Sequence, residues 1–268
     1  MTSSPVPAGP SAGSKRSESA RRVALLILSL ADHPKPLSLA DLSRTLQLPK
    51  STLLSFLRSL EDYGFVIRDE HGRYSLGMRL FSAASAATRG LGLGREAHDR
   101  LEALSRTVRL TANLAVLSGP TVTYVDKVQD YSSPVQLVTF VGGSMPAHAT
   151  ALGKVLVAEL PTDLREPWIA NHEYVLLTNK TVPNARTMED SIAQYRRDGF
   201  AVDDEESHLG VMCIAAPIRD RWGRVEVALS VTALKAGPLQ VNREWIVQEL
   251  LDTAKMLSSD VSDGVKLD

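Results

Sequence analysis

Between Lys50 and Leu60 the sequence carries two interleaved rows of side chains. Leu53, Leu57 and Leu60 recur at helical spacing and form one apolar stripe. Ser51, Ser55 and Arg58 repeat the same spacing on another face, with Thr52 beside them. Short hydroxyls at a helix start can donate to phosphate oxygens, helped by backbone N–H groups and the positive end of the helix dipole. Arg58 can reach a guanine edge or a phosphate. Lys50, Arg44 and Arg73, with Lys15 and Arg16 further upstream, add positive charge around this face. Nucleic-acid contact is the chemistry these types suit. An ordinary three-helix subdomain with a solvated polar face would show the same periodicity.

Local charge favours the nucleic-acid reading. Eleven cations face seven carboxylates from Lys15 to Leu80, a net +4, which leaves −5 for the rest of a chain whose formal total is −1. Only this segment suits a phosphate backbone, where each neutralised phosphate releases counterions.

Other groupings carry less. Cys213, His148 or His208, and Asp203 can be drawn as nucleophile, base and orienting acid. A thiol inside the apolar strand Met212-Cys213-Ile214-Ala215 is by default a buried small hydrophobe, so the chain is not expected to be an enzyme. Histidines 33, 71, 98, 148, 172 and 208 lack metal-ligand spacing, and neither a metal nor a cofactor is expected. Gly142-Gly143-Ser144 lacks the glycine spacing and following Lys-Ser/Thr of a phosphate loop. A single cysteine allows no intrachain disulfide, as in a reducing cytosol. The longest apolar run, Val23–Ala31, is well short of the ~20 residues needed to span a bilayer. Residues 1–14, rich in Pro, Ser, Gly and Ala, read as a disordered tail, not a signal peptide. A cytoplasmic protein without a membrane partner is expected.

The elements that must position these residues are legible in outline. A helix starts at Ser17 or Ser19 and reaches Ala31, before His33-Pro34-Lys35-Pro36. Ser38 caps a second helix running to about Leu46, and a third runs from Lys50 to about Tyr63 with Gly64 closing it. Two short strands, 65–68 and 73–76, are joined by Asp69-Glu70-His71-Gly72. Helix, turn, helix and hairpin in this order make a winged helix-turn-helix. Gly77–Ala87 reads as helical, Thr88–Gly94 as a hinge, and Arg95–Val108 as an amphipathic helix. Strands are then expected at 111–117, 122–128, 135–141, 200–203, 211–218 and 225–232. Helices are expected at 149–159, 162–170, 188–198 and 242–259. This mixture lacks a regular βαβ rhythm, so the fold class is α+β on an antiparallel sheet. The domain plan is a tail over 1–14, a DNA-binding domain over 15–80, a linker over 81–94 and a second domain over 95–262.

Residues 20–80 and 140–235 resemble the IclR-type transcriptional regulators. The first block reads Leu39-Ala40-Asp41-Leu42, Leu48-Pro49-Lys50-Ser51-Thr52, Leu57-Arg58-Ser59-Leu60-Glu61 and Tyr74-Ser75-Leu76-Gly77. The second opens with Pro146-Ala147-His148-Ala149-Thr150-Ala151-Leu152-Gly153-Lys154 and continues with Arg197-Asp198-Gly199-Phe200-Ala201-Val202-Asp203-Asp204-Glu205-Glu206. It closes with Gly210-Val211-Met212-Cys213-Ile214-Ala215-Ala216-Pro217-Ile218 and Ala228-Leu229-Ser230-Val231-Thr232. The resemblance implies an N-terminal winged helix-turn-helix, a linker helix and a C-terminal GAF-like effector-binding domain. It implies double-stranded operator DNA as partner, and homodimers or dimers of dimers. It departs from the family at Ser55, where a basic residue often stands. Phosphate contacts, the wing and dimerisation are therefore expected to carry much of the DNA affinity.

The resemblance also locates a ligand pocket, between Ala151-Leu152 and the strands bearing Asp203, Val211, Cys213, Ser230 and Thr232, with Leu137 on an apolar wall. The residue chemistry fits. Helix-start amides can hold a carboxylate, and Ser230 and Thr232, two apart on a strand, point to one side as donors. A small organic acid is the expected effector. Asp203-Asp204-Glu205-Glu206 is more often a solvated acidic turn, with only Asp203 facing inward, and His148 reads as a residue that caps or starts its helix.

Overall fold

The computed structural model describes residues 17–91, 93–130 and 139–264. The chain divides between Ala87 and Thr88 into two compact units.

In the first unit, α1 (Glu18–Ala31) is capped by the Ser17 hydroxyl, which accepts the Ala20 N–H. Helix α2 (Leu39–Leu46) starts in a reciprocal box: Ser38 Oγ accepts the Asp41 N–H at 3.2 Å while the Asp41 carboxylate accepts the Ser38 N–H at 3.3 Å. Gln47 takes a left-handed conformation (φ 54°) and turns the chain into α3 (Lys50–Asp62). Gly64 (φ 72°) then directs it into β1 (Val66–Arg68), which pairs antiparallel with β2 (Tyr74–Leu76). The connecting turn is closed by Asp69 Oδ1, which accepts the N–H groups of His71 and Arg73. Leu26, Leu42, Leu53, Leu57, Val66 and Tyr74 meet in one core, so three helices and the hairpin share a single apolar centre. A bridge between Leu37 and Tyr74 ties the α1–α2 connection to the wing.

Helix α4 (Arg79–Gly90) runs across the division. The expected hinge over Thr88–Gly94 is corrected at its start, because the Ala- and Ser-rich helix continues through Thr88 and Arg89 to Gly90.

The second unit is a six-stranded antiparallel sheet in the order β5-β4-β3-β8-β7-β6. Its strands are β3 (Thr111–Ser118), β4 (Thr121–Val128), β5 (Ser144–Pro146), β6 (Ala201–Asp204), β7 (Val211–Arg219) and β8 (Val225–Leu234). Alternation sends Leu114, Ile214, Leu229 and Val231 to one face, under α5 (Arg95–Val108) and α10 (Arg243–Gly264). Ala115, Ala215 and Ala228 go to the other, under α6 (Ala151–Ala158) and α8 (Ala185–Asp198), with Val155, Met188 and Ile192. Helix α7 (Thr162–Asn171) lies between them in sequence, and α9 (Pro238–Val241) is a single turn before α10.

Of the expected strand over 135–141, residues 135–138 lie outside the described residues and 139–141 are not in a strand. The short β5 pairs with β4 instead, Thr121 opposite Pro146. The helix expected from Ala149 starts at Ala151, after a 3-10 turn over Ala147–Ala149, because extended Thr150 interrupts the helical backbone and caps α6. Among the described residues no helix is long and apolar enough to cross a membrane.

Candidate functional site

The first candidate surface is the outer face of α3. Leu53 and Leu57 are fully buried, while Lys50, Ser51, Ser55 and Arg58 are exposed and Thr52 is half-buried. Pro49 stands at the N-cap and offers no side-chain bond, so the leading amides of α3 have no side-chain acceptor. Arg44, in the last turn of α2, is exposed and makes a 3.3 Å surface contact to Asp41. Arg73 is exposed where the hairpin turn leads into β2, and the Arg68 guanidinium lies over the Tyr74 ring at 5.6 Å. All seven proposed DNA contacts therefore occupy one unit, and six of them are exposed. Lys15 and Arg16 lie outside the described residues.

The second candidate surface is the α6 side of the sheet. Strand register sets Thr111, Thr232, Cys213 and Asp203 in one row across four strands. The next row on the same face is Asn113, Ser230, Ala215 and Ala201. Asp203, Ser230 and Asn113 are 0%, 1% and 2% exposed. Buried polar groups need partners. The Asn113 amide meets Ser230 Oγ at 3.5 Å and accepts from Thr139 Oγ1 at 3.4 Å, both at the long end for a hydrogen bond. Lys127 Nζ donates to the Thr139 carbonyl at 2.6 Å. Ser230 and Asn113 thus hold each other loosely, with capacity left for a ligand. Tyr124 packs into the α6-side core, and burial, with Cys213 and Asp203 nearby, pushes its hydroxyl well above the usual phenol range.

Asp203 has less capacity left. Its Oδ1 accepts the N–H groups of Glu206 and Ser207 at 2.7 and 3.2 Å, and Oδ2 accepts the Ser207 hydroxyl at 2.6 Å. It closes the turn after β6. Burial nonetheless raises its carboxyl above the ordinary range, against the hydrogen bonds from Ser207 and Glu206. Cys213 is half-buried within β7. Burial, reinforced by Asp203, pushes the thiol well up and keeps it protonated.

At the start of α6, Thr150 Oγ1 accepts the Gly153 N–H at 3.0 Å, which leaves the amides of Ala151 and Leu152 as the uncapped ones. Leu152 and Ala151 are buried, as is Val211, with Thr232 at the edge of burial. Leu137 lies outside the described residues. Lys154, one turn along α6, has a side chain 5% exposed and binds the Val202 carbonyl at 2.7 Å and Glu206 Oε1 at 2.5 Å. It fixes α6 to β6 and to the turn that Asp203 closes.

The alternative set of nucleophile and base does not assemble. His148 Nε2 bonds the Val175 carbonyl at 3.0 Å, and its Nδ1 lies 2.7 Å from His172 Nε2, so its ring is committed away from Cys213. His208 is exposed. Among the described residues no group of three His, Cys, Asp or Glu could hold a metal ion.

Thr111, Asn113, Tyr124, Lys127 and Lys154 did not emerge from the sequence as site residues. Thr111 and Asn113 carry the signal that marked Ser230 and Thr232, two polar residues at a spacing of two within an apolar strand. Lys154 stands out as the one charge in Ala-Leu-Gly-Lys-Val-Leu-Val-Ala.

Comparison with known proteins identifies both domains. Residues 19–70 match the model of the IclR helix-turn-helix domain, and residues 85–259 that of the bacterial transcriptional regulator IclR C-terminal domain. The HTH-type transcriptional regulator XynR of Escherichia coli is 32% identical over 213 residues, 79% of this chain and 84% of its own. The DNA-binding transcriptional repressor YiaJ of the same organism is 30% identical over 255 residues, 94% of this chain and 90% of its own. Among solved structures, an IclR homologue from Microbacterium hydrocarbonoxydans complexed with 4-hydroxybenzoate superposes with a TM-score of 0.78. The match is 24% identical over 91% of this chain and 99% of that one. With a winged helix-turn-helix, a six-stranded antiparallel domain and both family models in register along it, the chain belongs to the IclR family of bacterial transcriptional regulators.

Proposed function

We propose that this regulator binds a small carboxylic acid on the α6 face of its sheet, and that occupancy changes its affinity for operator DNA. One observation carries the reading. The loosely paired Asn113 and Ser230 share a sheet face with the α6 core, and α6 starts with two uncapped amides, at Ala151 and Leu152. A carboxylate accepts from helix-start amides and hydroxyls, and apolar walls suit its body. Leu152, Val211, Cys213 and Thr232 line the site in this reading, and Asp203 shapes it by holding its turn. The related protein that carries 4-hydroxybenzoate makes that acid the first probe.

On the DNA side, Lys50, Ser51 and Thr52 take a phosphate at the start of α3, and Ser55 and Arg58 face the major groove. Arg44 and Arg73 hold flanking backbone. Residues 15–80 act as the DNA-binding domain, 81–94 as the linker and 95–262 as the effector domain of a cytoplasmic homodimer or dimer of dimers. The two activities separate by mutation. Arg58→Ala weakens operator binding by about 1–3 kcal/mol and leaves ligand binding intact. Ser230→Ala weakens ligand binding by about 1 kcal/mol and leaves ligand-free operator binding intact. Fluorescence anisotropy on operator DNA and calorimetry with 4-hydroxybenzoate read the two. Loss of both activities in either variant, or a panel of millimolar carboxylates that leaves the melting temperature unmoved, overturns the assignment.

A further inference from the structure

A second groove lies away from the buried polar rows, where β7 outruns its neighbour. Pairing between β6 and β7 starts at Ala201 and Ala215, so β7 from Ala216 onward has no β6 strand beside it. A groove of about 540 Å³ occupies this place, between the end of β7, the C-terminal ends of α6 and α8, and α10. Its volume falls within the range of small-molecule sites. Pro217, Leu251 and Ala254 supply apolar surface, and Tyr195 lends its ring.

The charges around it do not cancel. Glu159 is bound by Arg219 through two contacts, at 2.7 and 2.9 Å, and accepts the Tyr195 hydroxyl at 2.5 Å. Burial works to raise the Glu159 carboxyl, but Arg219 and Tyr195 hold it below the usual range, so it stays ionised and neutralises Arg219. Arg196 and Lys255 remain. Arg196 gives one N–H to the Ala158 carbonyl at 3.3 Å and keeps its other donors. Neither cation has a carboxylate within ion-pair distance among the described residues. The open strand edge is itself blunted. Pro217 has no N–H to offer, and the Arg219 N–H is taken by Ser258 Oγ at 2.9 Å. An added β-strand therefore finds no ladder here.

We infer that this groove is a second ligand site, for a small amphipathic anion whose apolar body lies on Pro217, Leu251 and Ala254 and whose charge pairs with Arg196 and Lys255. The inference does not depend on the sheet-face site, and its test silences that site. In the full chain carrying Ser230→Val, 2-naphthoate is the calorimetric probe and 2-naphthamide its neutral counterpart. Binding of one naphthoate per chain is expected, with the amide clearly weaker. Adding Arg196→Glu and Lys255→Glu is expected to weaken naphthoate about tenfold or more. Both side chains are solvent-exposed, so the melting temperature should hold and report correct folding. Equal affinity for acid and amide overturns the proposal, as does undiminished binding in the doubly reversed variant. A drop in oligomeric mass on charge reversal, read by light scattering, also overturns it, because a second copy of the chain would then be the occupant.

Discussion

One proton sits between two imidazoles in the second unit. With His148 Nε2 donating to the Val175 carbonyl, its Nδ1 is left to accept from His172 Nε2 at 2.7 Å. Trp168 stacks on His172 at 4.1 Å and Tyr174 meets both rings edge-on, so neither ring can turn to find another partner without losing these contacts. Burial lowers both imidazoles below their ordinary value, His172 to about 4, where the neighbouring His148 adds to the effect. The sign for stability follows. Between about pH 6.5, where unfolded histidine titrates, and about pH 4, the unfolded chain binds protons that the folded chain refuses. Stability is therefore full above that window and falls as the pH falls through it. Urea midpoints measured from pH 7.5 to pH 5 are expected to decline, and His148→Gln/His172→Gln should flatten the decline. An equally steep decline in that variant would take the effect away from these two histidines; carboxylates such as Glu205, which Lys180 and Lys235 hold down at about 2, lose their contribution only below about pH 5.

At the scale of elements, Gly153 at the start of α6 has the tightest surroundings among the described glycines of the second unit. A Cβ on Gly153 would stand 2.1 Å from the Ala147 carbonyl oxygen, and that oxygen already closes the turn before Thr150. Gly153→Ala must push the 3-10 turn off the helix that carries Ala151 and Leu152. A loss of about 3 kcal/mol is expected, from overpacking against rigid backbone. The urea midpoint reads it, with Gly94→Ala, where a Cβ meets open space at the N-cap of α5, as the control expected to lose no more than about 1 kcal/mol. The elements themselves were largely legible in the sequence. Leucine spacing marked α3, five of the six expected strand segments hold a sheet strand, and Ser38 and Gly64 marked a helix start and a helix end. Three-residue β5 and four-residue α9 are too short to show a period, and extended Thr150 breaks a stretch that composition reads as one helix. The site was legible only strand by strand. Ser230 and Thr232 were visible as a pair, and so in principle were Thr111 and Asn113. Their shared row exists because β3 pairs with β8, more than a hundred residues away, and no periodicity encodes that neighbour. The bond from Lys154 to Glu206 crosses 52 residues for the same reason.

At the scale of the whole chain, charge and function divide together. The N-terminal segment from Lys15 to Leu80 is net positive in a chain whose total is −1, so positive charge is concentrated in the segment that holds the helix-turn-helix while the remainder is acidic. A ligand on the sheet can act on DNA only through a difference in its affinity for the DNA-bound and free forms. The coupling is then reciprocal by thermodynamic necessity. If 4-hydroxybenzoate, or another acid from the panel, changes operator affinity by some factor, saturating operator must change the affinity for that acid by the same factor. Coupling of this kind typically amounts to about 1–3 kcal/mol, or roughly 5- to 150-fold. Two titrations close the loop: operator anisotropy at zero and saturating acid, and calorimetry with the acid at zero and saturating operator. Equal factors are expected. If the chain assembles between the two forms, the factors remain equal only at matched protein concentration, so both titrations are repeated across a tenfold dilution. Factors that agree at each dilution but drift together identify subunit association as part of the switch. Factors that disagree at matched concentration mean the acid acts at a site or on a species that the operator does not see, which sinks the single-switch mechanism.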